Sequence, residues 1–177
     1  RCGGFSASSA SIADGGALQG QLEGGGAYAY TGSAGSGFSD ILHFVVAGAT
    51  DTTLTTVNLM LSGTMLYGAS GNGMVGAKMA VDAAITGAGI EAINYASTLD
   101  GNLYAFNPMV DASGSKAFEK IFTLQFYGSE ATVNVDIAQQ LSLLVPGYAT
   151  GSLSALSRLS VVAPSTVSYS GLGENSL

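Results

Sequence analysis

The amino-acid sequence predicts an all-β protein, a single β-sandwich of jelly-roll type preceded by an N-terminal strand-forming arm. Apolar and polar residues alternate with a period of two, and this alternation restarts after breaks rich in Gly, Ser and Asn. Alternation places every second side chain on one face of a strand, so each segment can bury one face and expose the other. Many such strands without intervening helices favour two packed sheets.

The N-terminal part differs from the rest of the chain in its small residues and weak alternation. Residues 1–37 are interpreted as a Ser/Ala/Gly-rich arm with the first strands, and residues 38–177 as the sandwich body of one overall domain. The register of strands built from small residues is loosely specified. We expect breaks at residues 24–26 and 31–37, where glycine and small polar residues cluster.

The body contains the strongest strand signals. Turns are predicted at Gly71-Asn72-Gly73, Asp100-Gly101-Asn102, Gly128-Ser129-Glu130 and Pro146-Gly147, which together with the alternation give ten to twelve strands. The residues expected to point inward share the odd or even phase of the strongest segments: Val57, Leu59, Leu61, Val75, Met79, Val81, Phe122, Leu124, Val133, Val135 and Ile137.

Composition excludes several classes of function. Charged residues make up 10% of the 177 residues and the net charge is −7, so a cationic surface for nucleic acid is not expected. The longest apolar stretch, residues 41–49, is far shorter than the roughly 20 residues of a membrane-spanning helix. The single cysteine, Cys2, is expected to be either a free thiol or the site of an intermolecular disulfide.

Few residues are candidates for catalysis, and we expect the protein not to be an enzyme. A Ser-His-Asp triad would need the only histidine, His43, and Asp40 falls on the other face of the same predicted strand. Asp82 and Asp136 lie on polar strand faces, and a facing pair of carboxylates could serve glycoside hydrolysis. Nothing in the sequence brings these two together.

No cofactor is predicted, and no set of metal ligands is defined. Calcium binding stays open because Asp51, Asp111 and the pair Asp100 and Asn102 fall in loop-like stretches that could supply oxygen ligands. The Asp-Gly-Asn tripeptide is first of all a turn signal.

Three short motifs resemble those of bacterial exosortase-sorted (PEP-CTERM) surface proteins. They are Phe38-Ser-Asp-Ile-Leu-His-Phe44, Leu61-Ser-Gly-Thr-Met65, and a closing segment formed by residues 156–164 and 167–171. The Val-Pro-Glu-Pro motif of that family's tail does not occur in this sequence. The resemblance implies an exported β-sandwich at the cell surface or in the extracellular matrix, and it supplies no catalytic residues.

These observations predict a secreted structural subunit that assembles with copies of itself into a filament or matrix. Residues 5–12 form an uncharged, proline-free segment whose expected contact residues are Phe5, Ala7, Ala10 and Ile12. Such a segment could pair with the sheet edge of a neighbouring subunit, as in donor-strand complementation. The other interpretation of this segment is the first strand of its own sandwich, or a frayed terminus.

The alternative function is a carbohydrate-binding or adhesive surface module, so polysaccharide stays a candidate partner. Such a module would need an aromatic platform, which could be drawn from Tyr28, Tyr30, Tyr67, Tyr95 and Tyr104.

The charge balance gives a first test of self-association. With a sequence pI near 4.2, the repulsion between subunits disappears as the pH falls towards that value. We expect association, measured by light scattering at constant ionic strength, to increase as the pH falls from 8 towards about 4. Association that is independent of pH over this range would contradict the prediction.

Overall fold

Antiparallel pairing of one half of the chain with the other organises the fold. The computed structural model describes residues 5–12, 16–106 and 111–176. These residues form eleven strands: β1 (Phe5–Ile12), β2 (Ala17–Gly26), β3 (Tyr30–Val46), β4 (Leu54–Gly71), β5 (Gly73–Gly87), β6 (Ile90–Ala105), β7 (Ala112–Tyr127), β8 (Glu130–Val145), β9 (Ala149–Val162), β10 (Val167–Gly171) and β11 (Glu174–Ser176). No helix long and apolar enough to cross a membrane occurs in this part of the chain.

The order of the strands is that of a jelly roll. Strand β5 pairs with β6, β4 with β7, β3 with β8 and β2 with β9, so residues 17–87 run back along residues 90–162 as one long folded hairpin. This hairpin rolls into two sheets, of order β1-β2-β9-β4-β7 and β11-β10-β3-β8-β5-β6. The predicted fold class is therefore confirmed, since two interlocked sheets of this order define a jelly roll.

The core lies between the two sheets and contains the residues that the alternation predicts. All eleven residues expected to point inward are at most 4% exposed. Phe44 and Leu42 of β3, with Leu18 and Leu22 of β2, complete the core and are fully buried. The sheets therefore hold each other together mainly through apolar burial, at roughly 25 cal/mol per Å².

The breaks predicted at residues 24–26 and 31–37 are both wrong, because these residues belong to strands β2 and β3. Strand β3 begins at Tyr30 and pairs without interruption with β8, from Tyr30 opposite Val145 to Val45 opposite Glu130. The small residues of 31–37 are weak strand formers alone, but pairing with a strongly alternating partner strand overrides that preference. The proposed boundary between residues 37 and 38 falls inside this strand.

The turn predicted at Asp100-Gly101-Asn102 is also wrong, because these residues continue strand β6. Gly101 is buried, and a Cβ built on it would lie 2.3 Å from Cζ of Tyr67. A Cβ on Gly114 of β7 would lie 2.6 Å from the same atom. Both glycines thus leave room for the Tyr67 ring. The other predicted turns are confirmed, since strands end and restart at Gly71–Gly73, Tyr127–Glu130 and Val145–Ala149.

This packing predicts different effects of two glycine substitutions on stability. Gly101→Ala should lower the free energy of unfolding by about 1–3 kcal/mol, because the new methyl group overlaps the Tyr67 ring. Gly76→Ala is the matched control in a neighbouring strand, where the nearest atom to the new Cβ is 3.4 Å away. It should leave stability unchanged or raise it by up to about 1 kcal/mol. Urea denaturation measures both, and equal effects would contradict the packing described.

Candidate assembly edge and binding face

The N-terminal segment forms the outermost strand of the five-stranded sheet. Strand β1 pairs with β2 of the same chain through eight consecutive positions, from Phe5 opposite Gly24 to Ile12 opposite Ala17. Between them Ala7 lies opposite Leu22 and Ala10 opposite Gln19, so the four predicted contact residues share one edge strand. The backbone thus takes a strand conformation suited to pairing, here on its own chain. Cys2 lies outside the described residues.

The other side of the sandwich has β6 and β7 as its edge strands, and β7 carries two lysines. Lys116 and Lys120 of β7 lie opposite Met65 and Leu61, which are fully buried, so both lysines occupy core-facing positions of an edge strand. Both remain exposed, and Nζ of Lys120 lies 5.8 Å from the centre of the Tyr95 ring on β6. Inward-pointing charges are a recognised means of preventing strand addition at an edge.

At the remaining side of the six-stranded sheet, β10 pairs with His43–Val46 of β3 and β11 pairs with β10. Asp40 binds the turn between these two short strands. Oδ2 of Asp40 accepts a hydrogen bond from the backbone N–H of Leu172 at 2.7 Å, and Oδ1 accepts one from Ile41 at 2.7 Å. Leu172 is buried and has a positive φ of 55°, a conformation that is unfavourable for leucine. Asp40 therefore stabilises a strained turn.

His43 lies on the opposite face of β3 from Asp40, as the alternation predicts. Its Nδ1 is 3.3 Å from Oγ1 of Thr132, and its Nε2 is 3.9 Å from Oε2 of Glu130. The side chain of His43 is partly exposed and that of Glu130 is largely exposed, so an ion pair between them contributes little to stability. Asp40 and His43 thus have separate partners and do not form the dyad of a catalytic triad.

Asp82 and Asp136 are brought to the same outer face of the six-stranded sheet. Asp82 of β5 lies opposite Ala138 of β8, and Asp136 lies opposite Ala84, so the two carboxylates are diagonal neighbours on adjacent strands. Such neighbours have Cα atoms about 7–8 Å apart. Asp136 also accepts a hydrogen bond from Oγ of Ser39. A shallow 660 Å³ depression lies over these strands.

The candidate calcium ligands do not converge. Asp51 lies in the turn between β3 and β4, Asp111 directly precedes β7, and Asp100 and Asn102 lie along β6. Among the described residues there is no group of three or more His, Cys, Asp or Glu side chains that could hold a metal ion.

The five tyrosines predicted as a platform are dispersed. Tyr67 is 8% exposed, and Tyr95 packs edge-on against Phe122 with ring centres 5.4 Å apart. Tyr30 is half-buried, whereas Tyr28 and Tyr104 are exposed. The aromatic partner of Tyr104 is Phe106, on which it stacks with ring centres 5.9 Å apart and an interplanar angle of 15°. Phe106 is not among the predicted platform residues; it directly follows β6, and its two-residue spacing from Tyr104 favours placement of both rings on the same side.

The Tyr104–Phe106 pair lies at the end of the sandwich where the β2–β3, β4–β5 and β8–β9 connections meet. The turn at Tyr148 is tied to its neighbours, because its N–H donates to the carbonyl of Gly26 at 2.7 Å and its carbonyl accepts from the N–H of Asn72 at 3.1 Å. Tyr148 has a positive φ of 65° and is 78% exposed. The fold therefore holds an aromatic side chain in solvent at the cost of a strained backbone.

Comparison with known proteins identifies no family. No protein-family model matches the chain, and no curated protein sequence matches it significantly. Solved structures with some similarity include TmCBM61 in complex with β-1,4-galactotriose, at 5% identity and a TM-score of 0.25, covering 90% of this chain and 88% of that one. The Eiger TNF of S. frugiperda matches at 13% identity and a TM-score of 0.22, covering 71% and 96%. The family 3a carbohydrate-binding module of the Clostridium thermocellum cipA scaffolding matches at 9% identity and a TM-score of 0.18, covering 98% of each chain. Similarities this low carry no argument about function.

The role of Asp40 gives a prediction that separates it from the other acidic residues. Asp40→Ala should lower the free energy of unfolding by about 1–3 kcal/mol, because the N–H of Leu172 loses its acceptor. Asp82→Ala removes an exposed carboxylate and should change stability by less than about 0.5 kcal/mol. Equal losses for the two variants in urea denaturation would exclude the anchoring role of Asp40.

Proposed function

We propose that this protein is an extracellular structural subunit that assembles with copies of itself by donating strand β1 to β2 of a neighbouring subunit. The role is non-catalytic, and the assembly is a filament or matrix at the cell surface. The main observation in support is the contrast between the edges: β1 and β2 meet at an edge almost without charge, whereas β7 carries two inward-placed lysines.

The pairing of β1 with β2 is suited to exchange between chains. The eight backbone pairs that β1 makes with β2 can form equally well with the β2 strand of another copy, because exchange preserves the register. Only residues 13–16 separate the two strands in the sequence, and short connections favour exchange of a strand over its return to the same chain. Since each chain both donates and accepts a strand, an exchange that does not close on itself produces an open chain of subunits.

The distribution of charge favours strand pairing at one edge of the five-stranded sheet. The two lysines of β7 oppose pairing of that edge with an incoming strand. Residues 5–12 carry no charge or proline that would oppose pairing at the β1 edge. Strand pairing is therefore favoured at one side of the five-stranded sheet only, so pairing at the β7 edge does not compete with exchange of β1. The motifs that resemble exosortase-sorted surface proteins support export of the chain and a role in the matrix.

A carbohydrate-binding role is compatible with this assembly. The exposed Tyr104–Phe106 pair lies on the six-stranded sheet, away from β1, so both surfaces are accessible in the same molecule.

Deletion of residues 1–12 tests the assembly proposal. The shortened chain should keep the β2–β9 sandwich and remain a monomer, because the eight strands of the jelly roll are intact. The full chain should form polymers whose size grows with concentration. Sedimentation velocity and negative-stain microscopy measure the difference, with circular dichroism as a check on folding. Polymers of normal appearance from the shortened chain would overturn the proposal.

A pair of point variants in the full chain controls for the loss of twelve residues. Ser8→Pro with Ser9→Pro places two prolines in the arm, so at least one backbone donor to β2 is lost and polymerisation should fail. Ser8→Thr with Ser9→Thr alters the same positions but favours a strand, so polymerisation should be kept or strengthened. If both double variants polymerise alike, pairing of β1 is not the step that joins subunits.

A further inference from the structure

The outer face of the six-stranded sheet changes from polar to apolar towards the end that carries Tyr148. Met74 of β5 lies opposite Tyr104 of β6, and both are exposed, as are Leu144 and Phe106. We call these four residues the apolar rim. Tyr104 is 62% exposed and Phe106 is 73% exposed, although they stack on each other. Contiguous exposed apolar patches occur at protein-interaction surfaces and in ligand-binding grooves.

Two rows of hydrogen-bonding groups lie next to the apolar rim. In the first row, Gly76 lies between Asn102 of β6 and Leu144 of β8, and Leu144 lies opposite Thr31. The second row is two residues further along the strands, about 7 Å away. There Lys78 lies between Asp100 and Ser142.

The two rows enclose a depression of 270 Å³. Gly76 lines it, and the missing side chain at this position leaves its floor open. Amide, hydroxyl, carboxylate and ammonium groups therefore line a hollow directly beside two exposed aromatic rings. Ligand sites commonly combine an apolar contact surface with a few polar groups that fix orientation.

We propose that this face binds a neutral polysaccharide. Sugar rings have an apolar C–H face that packs on aromatic rings and hydroxyl groups that bond to the polar rows, and the mixture of groups here matches that chemistry. Lys78 and Asp100 are opposite in register and opposite in charge, so the rows favour neither an anionic nor a cationic ligand.

The net negative charge of the chain disfavours the binding of anionic polymers. Asp82 and Asp136 lie further along the same face, and the net charge of the chain is −7. Nucleic acids and acidic polysaccharides would therefore be repelled. The binding face does not include the β1 edge, so this inference goes beyond the assembly role and does not depend on it.

Binding of the full chain to a panel of polysaccharides tests the inference. Affinity electrophoresis with cellulose derivatives, β-galactan, xylan and β-glucan should show retention by at least one neutral polymer, with little dependence on salt. Alginate and polygalacturonate should give no retention. Absence of binding to every neutral polymer, or retention by the acidic ones alone, would overturn the proposal.

Matched variants assign the binding to this face. Tyr104→Ala with Phe106→Ala should weaken binding by at least about tenfold, because a central aromatic contact is lost. Tyr127→Ala removes a tyrosine that is 66% exposed at the opposite end of the sandwich, and it should bind as the parent chain does. Equal losses for the two variants would overturn the assignment.

Sedimentation velocity on the same samples separates this site from the assembly edge. Both variants should polymerise as the parent chain does, because β1 and β2 are unchanged. If the double variant fails to associate and the parent chain binds no glycan, the apolar rim is a contact between copies of the chain, and the glycan proposal is wrong. Failure of the Ser8→Pro, Ser9→Pro variant to polymerise, with glycan binding retained, would support both proposals independently.

Discussion

The alignment of residues 17–87 with residues 90–162 is the constraint on which the rest of the structure depends. The chain reverses at the turn between β5 and β6, where Gly89 has a φ of 72°, and every later strand then pairs with an earlier one. Rolling this hairpin buries one face of each strand and leaves the other exposed. It also gathers alternate connections at the same end of the sandwich. The position of the Tyr148 end, the proposed binding face and the sheet edges all depend on this single pairing.

Three of the few charged residues occupy positions that bear on the sheet edges and turns. The two lysines of β7 lie at an edge, where their ammonium groups reach solvent while their stems extend along the core-facing side. Asp40 binds the turn between β10 and β11, beside the end of β3 that pairs with β10. The N-terminal strand has no such group. An edge strand without charge is a liability for a monomer and an advantage for a subunit, because unpaired N–H and C=O groups promote strand addition.

The proposed assembly edge and the proposed binding face are separated by the geometry of the sandwich. Strand addition extends the five-stranded sheet sideways, whereas the apolar rim lies on the outer face of the other sheet. A polymer built through β1 would therefore display one binding face per subunit. Repetition of a weak site along a polymer raises its apparent affinity without any new contact. The two proposals would then describe parts of one matrix-forming function.

The sequence by itself determined the strand class and the core, because the two-residue period is a local property that each segment carries independently. Leu124 and Ile137 could be assigned inward without knowing their partners. Only the tertiary structure decided the features that depend on neighbouring strands. The local sequence around Gly101 predicts a turn, but the Tyr67 ring occupies the space beside this glycine and the residue lies within a strand. The small residues at 31–37 form a strand because they pair with β8. Asp82 and Asp136, far apart in the sequence, share a face because β5 and β8 pair, and register between distant strands is not encoded in either strand alone.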